Sequence, residues 1–301
     1  MAPVDVSLII PAYGLPHLTA ACAGLALALS PGAFEVLIVD DGSQPPLALA
    51  LGADPRLRIV RLSQNQGFAA ACNHGAREAR GAKLFFLNND AFLTPRWWRP
   101  LVRALEQDGA AAAGSLLLLP DGTIQCAGVT YDHEGLPCLL FHGLPADLPA
   151  ARRPREVQGL SGAALMIERE RFLALDGFDT GYKNSYEDVD LGLRLRRAGG
   201  RLLVQPESVA IHLESSSPGR QARDAANLER FVARWSGQTL DDDLATYRAE
   251  GLEQHYGPRA ERHRRGASEW NALERAYQDA VRYCRQLEAA VGSGAAPKPQ
   301  P

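Results

Sequence analysis

The stretch EVLIVDDGS, residues 35–43, is a short and largely apolar run that ends abruptly in a polar, glycine-containing cluster. Three other segments follow the same plan: VSLIIPAYG at residues 6–14, RIVRLSQNQGF at residues 58–68 and KLFFLNND at residues 83–90. Apolar runs of about four to six residues that are bounded by turn-forming residues are typical of buried β-strands. We therefore predict a short strand in each of these segments.

Helical patterns separate the predicted strands. Apolar residues recur every three or four positions at residues 17–29, and the small apolar segment at residues 69–79 also indicates a helix. Alternating strands and helices predict an α/β fold with a mostly parallel, Rossmann-like sheet that is flanked by helices. In such sheets the ligand binds beyond the carboxyl ends of the strands, so the polar clusters should converge on one crevice.

The second half of the chain is less regular. Short apolar runs at residues 110–119, 163–167, 201–204 and 209–213 predict further strands. A charged segment at residues 189–198, with leucines among its arginines, predicts a helix.

The character of the sequence changes near residue 236. We predict one α/β domain over residues 1–235, a C-terminal helical extension over residues 236–291 and a disordered tail over residues 292–301, which is rich in glycine and proline. Apolar residues recur every three or four positions at residues 270–291, which indicates one apolar stripe on a helix. This stripe could pack on the main domain, which we favour, or pair with a second copy or a partner domain.

Composition argues against several classes of function. The chain of 301 residues has a formal net charge of −3, so it has no basic field to attract nucleic acid. Its five cysteines form no C-x-x-C pair, so neither a disulfide framework nor a zinc site is predicted. No apolar stretch approaches the roughly 20 residues that span a bilayer. We expect a cytoplasmic protein, although the arginines of RRPR at residues 152–155 could touch the inner face of the membrane.

Asp90 is the first candidate for a chemical role. It directly follows a predicted buried strand, where a carboxylate could bind Mg²⁺ or Mn²⁺ while the phosphates of a ligand complete the octahedron. The alternative is that Asn88, Asn89 and Asp90 form an ordinary turn after a strand. The residues alone leave both interpretations open.

The later part of the chain offers an acidic cluster and a histidine. Glu187, Asp188 and Asp190 begin a predicted helix, where acids are favoured by the helix dipole or could supply a general base. His212 ends a predicted strand and is followed by Arg220. An imidazole with an arginine nearby suits a metal–diphosphate site, although a lone histidine is more often structural.

Several motifs, taken in order, resemble those of family 2 glycosyltransferases with the GT-A fold, particularly bacterial rhamnosyltransferase-like enzymes of O-antigen and other surface-polysaccharide synthesis. The match covers about residues 4–235, and each motif alone is weak. The motifs are IPAY at residues 10–13, VDDGS at 39–43, NQGFAAACN at 65–73, LNND at 87–90, SGAA at 161–164, GFD at 177–179, YEDVDLGLR at 186–194 and His212.

The resemblance implies roles for particular residues. Asp188 would be the general base with Glu187 beside it, and Asp90 and His212 would bind the metal. Asp41 would accept a hydrogen bond from the N–H of a uracil or thymine base. The donor nucleotide would contact Pro11, Tyr13, Asp41, Asn65, Gly67, Asn73, Asn89 and Arg220, and the transferred sugar would contact Ser161, Gly162 and Ala163.

The implied activity is that of an inverting, metal-dependent glycosyltransferase. Its cofactor would be a divalent cation, Mn²⁺ or Mg²⁺, and its donor a UDP- or dTDP-sugar. Its acceptor would be a glycan, a lipid-linked glycan or a protein glycan. Two asparagines precede Asp90 where relatives more often have a pair of aspartates, and this lowers the negative charge of the expected metal site.

Other functions are compatible with the same fold. A sugar nucleotidyltransferase usually carries basic residues in a glycine-rich loop after the first strand, whereas PAYGLP at residues 11–16 has none. A non-catalytic nucleotide-sugar or glycan-binding module would be expected to lack the base or a metal ligand, whereas Asp90, Asp188 and His212 are all present. The chain could also be one domain of a larger assembly. The glycosyltransferase interpretation requires these three residues to lie around one cleft.

Overall fold

The structure, a computed structural model, describes residues 4–49, 51–213 and 224–257. Arg220, the predicted apolar stripe at residues 270–291 and the predicted tail lie outside these ranges. The helices are α1 (Pro16–Leu29), α2 (Phe68–Glu78), α3 (Trp98–Glu106), α4 (Arg169–Ala174), α5 (Glu187–Arg197), α6 (Asp224–Trp235) and α7 (Asp243–Ala249). The strands are β1 (Val6–Ala12), β2 (Phe34–Asp40), β3 (Leu57–Arg61), β4 (Lys83–Leu87), β5 (Ala91–Leu93), β6 (Ala110–Leu118), β7 (Ile124–Cys126), β8 (Val129–Tyr131), β9 (Pro137–Leu139), β10 (Arg155–Val157), β11 (Ala164–Glu168) and β12 (Arg201–His212).

A ten-stranded mixed sheet forms the centre of the described fold. Along its main path the order is β10-β12-β6-β11-β4-β1-β2-β3, while β5 pairs with β12 and β7 pairs with β6. The part formed by β4, β1, β2 and β3 is parallel, as the sequence predicts. The other part is mixed, because β11 runs antiparallel to both β4 and β6 whereas β12 runs parallel to β6.

Helices cover both faces of this sheet, which explains why its central strands are largely apolar. Every residue of β1 is buried: Leu8 and Ile10 belong to the core cluster that includes Cys22 of α1, while Ile9 belongs to the cluster that includes Ala71 of α2. A strand that is buried on both faces reads as a continuous apolar run rather than as an alternating one. The predicted α/β fold is therefore confirmed.

Strand β12 replaces the two late strands that the sequence predicts. It runs continuously over Arg201–His212, and its pairing with β6 shifts register between Gln205 and Val209. Pro206 falls within this irregular part, where the missing N–H of a proline does not interrupt a regular ladder. The last residues of β12 also pair with β5, which places His212 beside the segment that follows β4.

The segment after α6 packs on the domain as far as the described residues extend. Tyr247 of α7 is buried in a cluster with Ile124 and Phe141. The hydroxyl of Thr130 donates to Oδ1 of Asp243 over 2.7 Å. The boundary at residue 235 stays a prediction, but this first part of the extension shares a core with the domain. None of the helices in the described ranges has the length and apolarity that crossing a bilayer requires.

Candidate active site

A cleft of about 220 Å³ opens where β1, β2 and β4 end, beside the first residues of α5. This is the edge at which α/β sheets bind their ligands. Among the predicted site residues that the structure describes, Asn73 alone does not line it. The lining consists of Pro11, Ala12, Tyr13, Asp41, Asn65, Gly67, Phe68, Ala71, Asn88, Asn89, Asp90, Ser161, Gly162, Ala163, Asn184, Glu187, Asp188 and His212.

Two groups of polar residues in this lining come from different kinds of structure. The first group follows or ends strands, and we call it the strand-end wall: Asp41, Asn88, Asn89, Asp90 and His212. The second group lies at or just before the beginning of α5, and we call it the helix wall: Asn184, Glu187 and Asp188.

Asp90 and His212 meet because β5 pairs with the end of β12. In that pairing His212 lies beside Ala91, and the backbone N–H of Leu213 donates to the carbonyl of Asp90 over 3.1 Å. The side chains follow the backbone, so His212 Nε2 lies 3.1 Å from Asp90 Oδ1. Both residues are buried, with relative exposures of 5% and 6%. The sheet topology thus brings together two residues that are far apart in the sequence.

This pair provides a partial set of metal ligands. Within the described ranges, no group of three or more His, Cys, Asp or Glu side chains is arranged to hold a metal ion. Asp90 and His212 supply one carboxylate and one imidazole, and the buried Oδ1 of Asn88 has no hydrogen-bond partner among the described residues. Mg²⁺ and Mn²⁺ favour oxygen ligands, and Mg²⁺ in particular needs few from the protein when phosphates and water complete the shell. The residues therefore fit a divalent cation that binds together with a diphosphate.

The two asparagines before Asp90 act as hydrogen-bond donors. Asn88 Nδ2 lies 3.1 Å from His212 Nε2, and Asn89 Nδ2 donates to Oγ1 of Thr19 on α1 over 3.0 Å. The Thr19 hydroxyl in turn donates to the carbonyl of Leu15 over 3.1 Å. An ionised aspartate has no proton to donate, so it could not make these contacts. The amides of Asn88 and Asn89 therefore supply the donor in both contacts.

Asp41 holds the loop that follows β3. Its Oδ1 and Oδ2 accept the backbone N–H groups of Gln66 and Gly67, each over 2.8 Å. Burial raises the pKa of Asp41, although these two hydrogen bonds oppose the shift. A carboxylate oxygen can accept more than one hydrogen bond. The predicted contact with a nucleobase therefore stays compatible with the structure, but the observed role of Asp41 is to fix this loop.

Asp40, which the sequence analysis did not single out, supports the same corner of the cleft. Its carboxylate accepts from the Arg61 guanidinium over 2.5 Å and from the backbone N–H of Ser43 over 2.9 Å. Gly42, which lies between Asp40 and Ser43 in the chain, has φ 72°. A Cβ at this position would lie 2.4 Å from the backbone carbon of Gln64. The DDGS motif therefore needs its glycine, because two loops pass each other at this point.

Asn73, which the sequence analysis predicts to bind the donor, does not line the cleft in the structure. It is buried in α2, where its Nδ2 donates to the carbonyl of Phe178 over 2.7 Å and its Oδ1 accepts the N–H of Phe178 over 2.8 Å. A Cβ on Gly177 would lie 2.3 Å from that Oδ1. Both ends of the amide are thus used to fasten the GFD segment to α2, and neither faces the cleft.

Asp188 is held at the beginning of α5 by two backbone N–H groups. Its Oδ2 accepts from Gly162 and its Oδ1 accepts from Val189, each over 2.8 Å. A Cβ on Gly162 would approach to 3.2 Å from the Cβ of Asp188 and to 3.3 Å from the Phe68 ring. The glycine of the SGAA segment therefore allows Asp188 to lie close to the turn before β11. Asp188 stays partly exposed, whereas Glu187 is buried.

Asn184 is a cleft residue that the sequence analysis missed. Its Oδ1 accepts the backbone N–H of Phe68 over 2.9 Å, which connects the helix wall to the loop that Asp41 holds. Its φ is 61°, in the left-handed region that asparagine tolerates better than most residues. The signal in the sequence is faint, because it is a single asparagine in the polar segment before the YEDVD motif.

Helix α6 anchors the segment that carries the helix wall. Trp235 Nε1 donates to Oδ1 of Asp190 over 2.8 Å, and Arg194 Nε donates to Oδ2 over 2.7 Å. Earlier in the helix, the Asn227 amide bonds both the N–H and the carbonyl of Lys183 over 3.1 Å. Asp190 is completely buried. The three acids at the start of α5 therefore differ in role, because Asp190 is an anchor and does not line the cleft.

The arginines near residue 153 are paired with an acid. The side chains of Arg153 and Arg155 both form ion pairs with Glu250, just after α7. These contacts fasten the end of the described chain to β10. They favour a structural role for this loop over a contact with the membrane.

Known proteins resemble this chain in sequence. The family model described as "Glycosyl transferase family 2" matches residues 7–127. An N-acetylglucosaminyl-diphospho-decaprenol L-rhamnosyltransferase of Mycobacterium tuberculosis (strain ATCC 25618 / H37Rv) is 30% identical over 240 residues, which cover 68% of this chain and 74% of that protein. The chain belongs to glycosyltransferase family 2.

Three further proteins show how much of their length this family 2 chain matches and which fold it shares. The O-antigen biosynthesis protein RfbC of Myxococcus xanthus is 34% identical over 193 residues, which cover 61% of this chain. The chain spans only 15% of the length of RfbC and 25% of that of a relative from Sinorhizobium fredii. The crystal structure of GalNAc-T7 with UDP, GalNAc and Mn²⁺ superposes with a TM-score of 0.56 at 17% identity, covering 90% of this chain and 58% of that one. The predicted GT-A fold is therefore confirmed.

Proposed function

We propose that this family 2 chain is an inverting, metal-dependent glycosyltransferase that moves a sugar from a UDP- or dTDP-sugar onto an acceptor hydroxyl. The observation that carries the proposal is the single cleft that Asp90, His212 and Asp188 line together. Transfer by direct displacement needs a site for the leaving diphosphate and a base for the attacking hydroxyl. The strand-end wall offers the first and the helix wall offers the second.

The donor nucleotide would lie along the strand-end wall. Tyr13 is 51% exposed at the cleft, which Pro11 also lines, so the aromatic ring can stack on a base. Asp41 would accept the N–H of a uracil or thymine, and the loop with Asn65 and Gly67 would border the sugar side. Proteins of this fold bind different nucleotides, UDP in GalNAc-T7 and GDP-Man in a mannosyltransferase of Pyrobaculum calidifontis, so the choice of a UDP- or dTDP-type donor rests on Asp41.

The chemistry would then follow from the two walls. Asp90 and His212 would hold a Mn²⁺ or Mg²⁺ ion, which when bound would stabilise the charge that grows on the leaving diphosphate. Asp188 would accept the proton of the acceptor hydroxyl while that oxygen forms a bond to the anomeric carbon. The bond from this carbon to the diphosphate oxygen breaks as the new one forms. Because attack comes from the face opposite the diphosphate, the anomeric configuration would invert.

The acceptor would be a glycan or a lipid-linked glycan of bacterial surface-polysaccharide synthesis. The names of two relatives support this class, since one is an O-antigen biosynthesis protein and the other acts on a decaprenol-linked sugar. Ser161, Gly162 and Ala163 line the cleft beside Asp188, so they would border the transferred sugar. We place the reaction in the cytoplasm, at the inner face of the membrane where the acceptor is lipid-linked.

The first test is a thermal-shift screen of UDP, dTDP and GDP with Mn²⁺, with Mg²⁺ and with EDTA. A ligand that binds only the folded state raises Tm by mass action, so we expect UDP or dTDP to raise it most when a divalent cation is present. Transfer from the matching sugar nucleotide is then followed by proton NMR of the product. A product with the anomeric configuration of the donor would contradict inversion. Release of pyrophosphate from a nucleoside triphosphate and a sugar phosphate would instead indicate a nucleotidyltransferase.

A further inference from the structure

Gln125 contacts the His212 ring on the side away from Asp90. Gln125 Oε1 lies 2.9 Å from His212 Nδ1, while Asp90 Oδ1 and Asn88 Nδ2 each lie 3.1 Å from Nε2. Both Gln125 and His212 are buried. Nothing in the sequence motifs marks Gln125 as part of the site, and it does not line the cleft.

A β-bulge directs this glutamine towards the histidine. Strand β7 pairs with β6 so that Leu117 faces Cys126 and Leu118 faces Ile124, which leaves Gln125 as one extra residue on β7. Bulges turn a side chain away from its regular direction and are frequent beside active sites. The backbone carbonyl of Gln125 is held as well, because it lies 2.9 Å from Nδ1 of the buried His142.

Gln125 and Asn88 favour one tautomer of the His212 ring, whereas Asp90 Oδ1, an acceptor 3.1 Å from Nε2, favours the other. A carboxamide oxygen can only accept, so the contact with Gln125 is a hydrogen bond when Nδ1 of His212 carries the proton. Nε2 then carries a lone pair, which suits the N–H that Asn88 directs at it. In the other tautomer, Nε2 carries the proton and donates it to Asp90. Nε2 then has no lone pair with which to bind a cation. The position of the proton therefore decides whether the imidazole can bind a cation beside Asp90.

We propose that Gln125 is a positioning residue that fixes His212 as the Nδ1–H tautomer and so presents Nε2 beside Asp90 for a divalent cation. The part about the cation rests on the proposed function, whereas the tautomer does not. A hydrogen bond to the far nitrogen of a metal-binding histidine fixes the ring and its tautomer, and its loss typically weakens metal affinity by about 10- to 100-fold.

Three variants test this proposal. Gln125→Met keeps the approximate length of the side chain but removes the acceptor, while Gln125→Glu keeps an acceptor oxygen. Gln205→Met is the matched control: Gln205 is also a buried amide, lies on the same strand as His212, and has no hydrogen-bond partner for its side chain among the described residues. The melting temperature of each variant shows whether it is folded.

The first readout is the tautomer of His212 in metal-free protein, measured by long-range ¹H–¹⁵N correlation of the imidazole. The His212 signals are assigned from their loss in His212→Asn. We expect the Nδ1–H tautomer in the parent, in Gln125→Glu and in Gln205→Met. In Gln125→Met the proton should move to Nε2, where Asp90 can accept it. An unchanged tautomer in Gln125→Met would overturn the proposal.

The second readout is the affinity for Mn²⁺ in the presence of UDP, measured from the EPR signal of free Mn²⁺. Gln125→Met should bind Mn²⁺ about 10- to 100-fold more weakly than the parent, whereas Gln125→Glu and Gln205→Met should bind it like the parent. Equal affinities in Gln125→Met and the parent would refute the role of Gln125 towards the cation. If the parent binds no Mn²⁺, the proposed metal dependence is refuted instead. The tautomer measurement would then still show whether Gln125 fixes the His212 ring.

Discussion

The strand-end wall and the helix wall line the same cleft but are held in different ways. Asp90 and His212 are fixed by the pairing of β5 with β12, inside the sheet. Asp188 and Asn184 lie on a segment that depends on contacts with α2 and α6, outside the sheet. The comparison shows how one site can separate two tasks. We expect changes in the strand-end wall to affect the binding of nucleotide and metal, and changes behind the helix wall to affect turnover and stability.

Asp188→Asn should have the largest effect. It should lower turnover, to which the helix wall contributes, without changing the binding of nucleotide at the strand-end wall. The amide oxygen can still accept from Gly162, but the side chain can no longer take a proton, and loss of a general base typically costs about 10²- to 10⁴-fold. We expect kcat to fall by that factor while the calorimetric Kd for UDP stays close to that of the parent. The control is Glu170→Gln, a surface change on α4 that should keep full kcat. Near-parent turnover by Asp188→Asn would remove Asp188 from the proposed role.

Asp190→Ala should show how much the helix wall depends on α6. The substitution leaves the Arg194 guanidinium and the Trp235 N–H without their buried acceptor, and breaking a buried ion pair costs about 3–5 kcal/mol. We expect urea unfolding to show a loss of that size.

The matched comparison for this change is Glu156→Ala. Its ion pair with Arg201 is about half exposed, and exposed pairs are worth only about 0–1 kcal/mol. If Asp190→Ala and Glu156→Ala lose the same small amount, the anchoring role of Asp190 is wrong.

Asn184→Gly should have a smaller effect, on the KM for the donor, because Asn184 connects the helix wall to the loop that Asp41 holds. Glycine keeps the positive φ without strain, so the variant removes the side chain and its hydrogen bond to the N–H of Phe68 without straining the backbone. A net loss of about 1 kcal/mol corresponds to roughly a fivefold higher KM for the donor. Asn184→Asp, which keeps the acceptor oxygen, should restore most of the affinity. A KM that is unchanged in Asn184→Gly would show that this contact does not shape the donor site.

The smallest expected effect is a pH dependence at Asp41. Because burial raises the folded-state pKa of Asp41 above its ordinary value of 3.8, ionisation of this residue opposes folding. Its favourable contribution is complete below pH 3.8 and is lost as the pH rises through the folded-state pKa. The unfolding free energy of the parent relative to Asp41→Asn should therefore decrease as the pH rises above 3.8. If the unfolding free energy of the parent relative to Asp41→Asn instead increases with pH, folding lowers the pKa of Asp41 and the prediction is wrong.

Much of the strand-end wall could be predicted from the sequence. Buried parallel strands appear as apolar runs, and their polar ends mark the edge at which ligands bind, so Asp41, Asp90 and His212 follow from a local pattern. The mixed part of the sheet could not be predicted in the same way. Its short strands, such as β5 and β7, are three residues long, and long-range pairing rather than local propensity creates them.

The sequence was less informative where a role depends on which side chain lies next to which. Asn73 is in a matching motif, yet both ends of its amide bind Phe178. Asp188 and Asp190 are two residues apart and chemically identical, but one lines the cleft and the other is buried against Trp235. Gln125 contacts His212 because of a β-bulge that no local sequence pattern predicts. Such roles follow from tertiary packing, which single residues do not encode.

The most direct test of the shared cleft is calorimetry of UDP binding with and without Mn²⁺ for the parent, Asp90→Ala and Asp188→Asn. The account predicts that Mn²⁺ tightens UDP binding in the parent and in Asp188→Asn, and that Asp90→Ala loses this gain because one of the two protein ligands is gone. If Asp90→Ala keeps the whole Mn²⁺-dependent gain in affinity, the cation does not bind between Asp90 and His212, and the proposed site is contradicted.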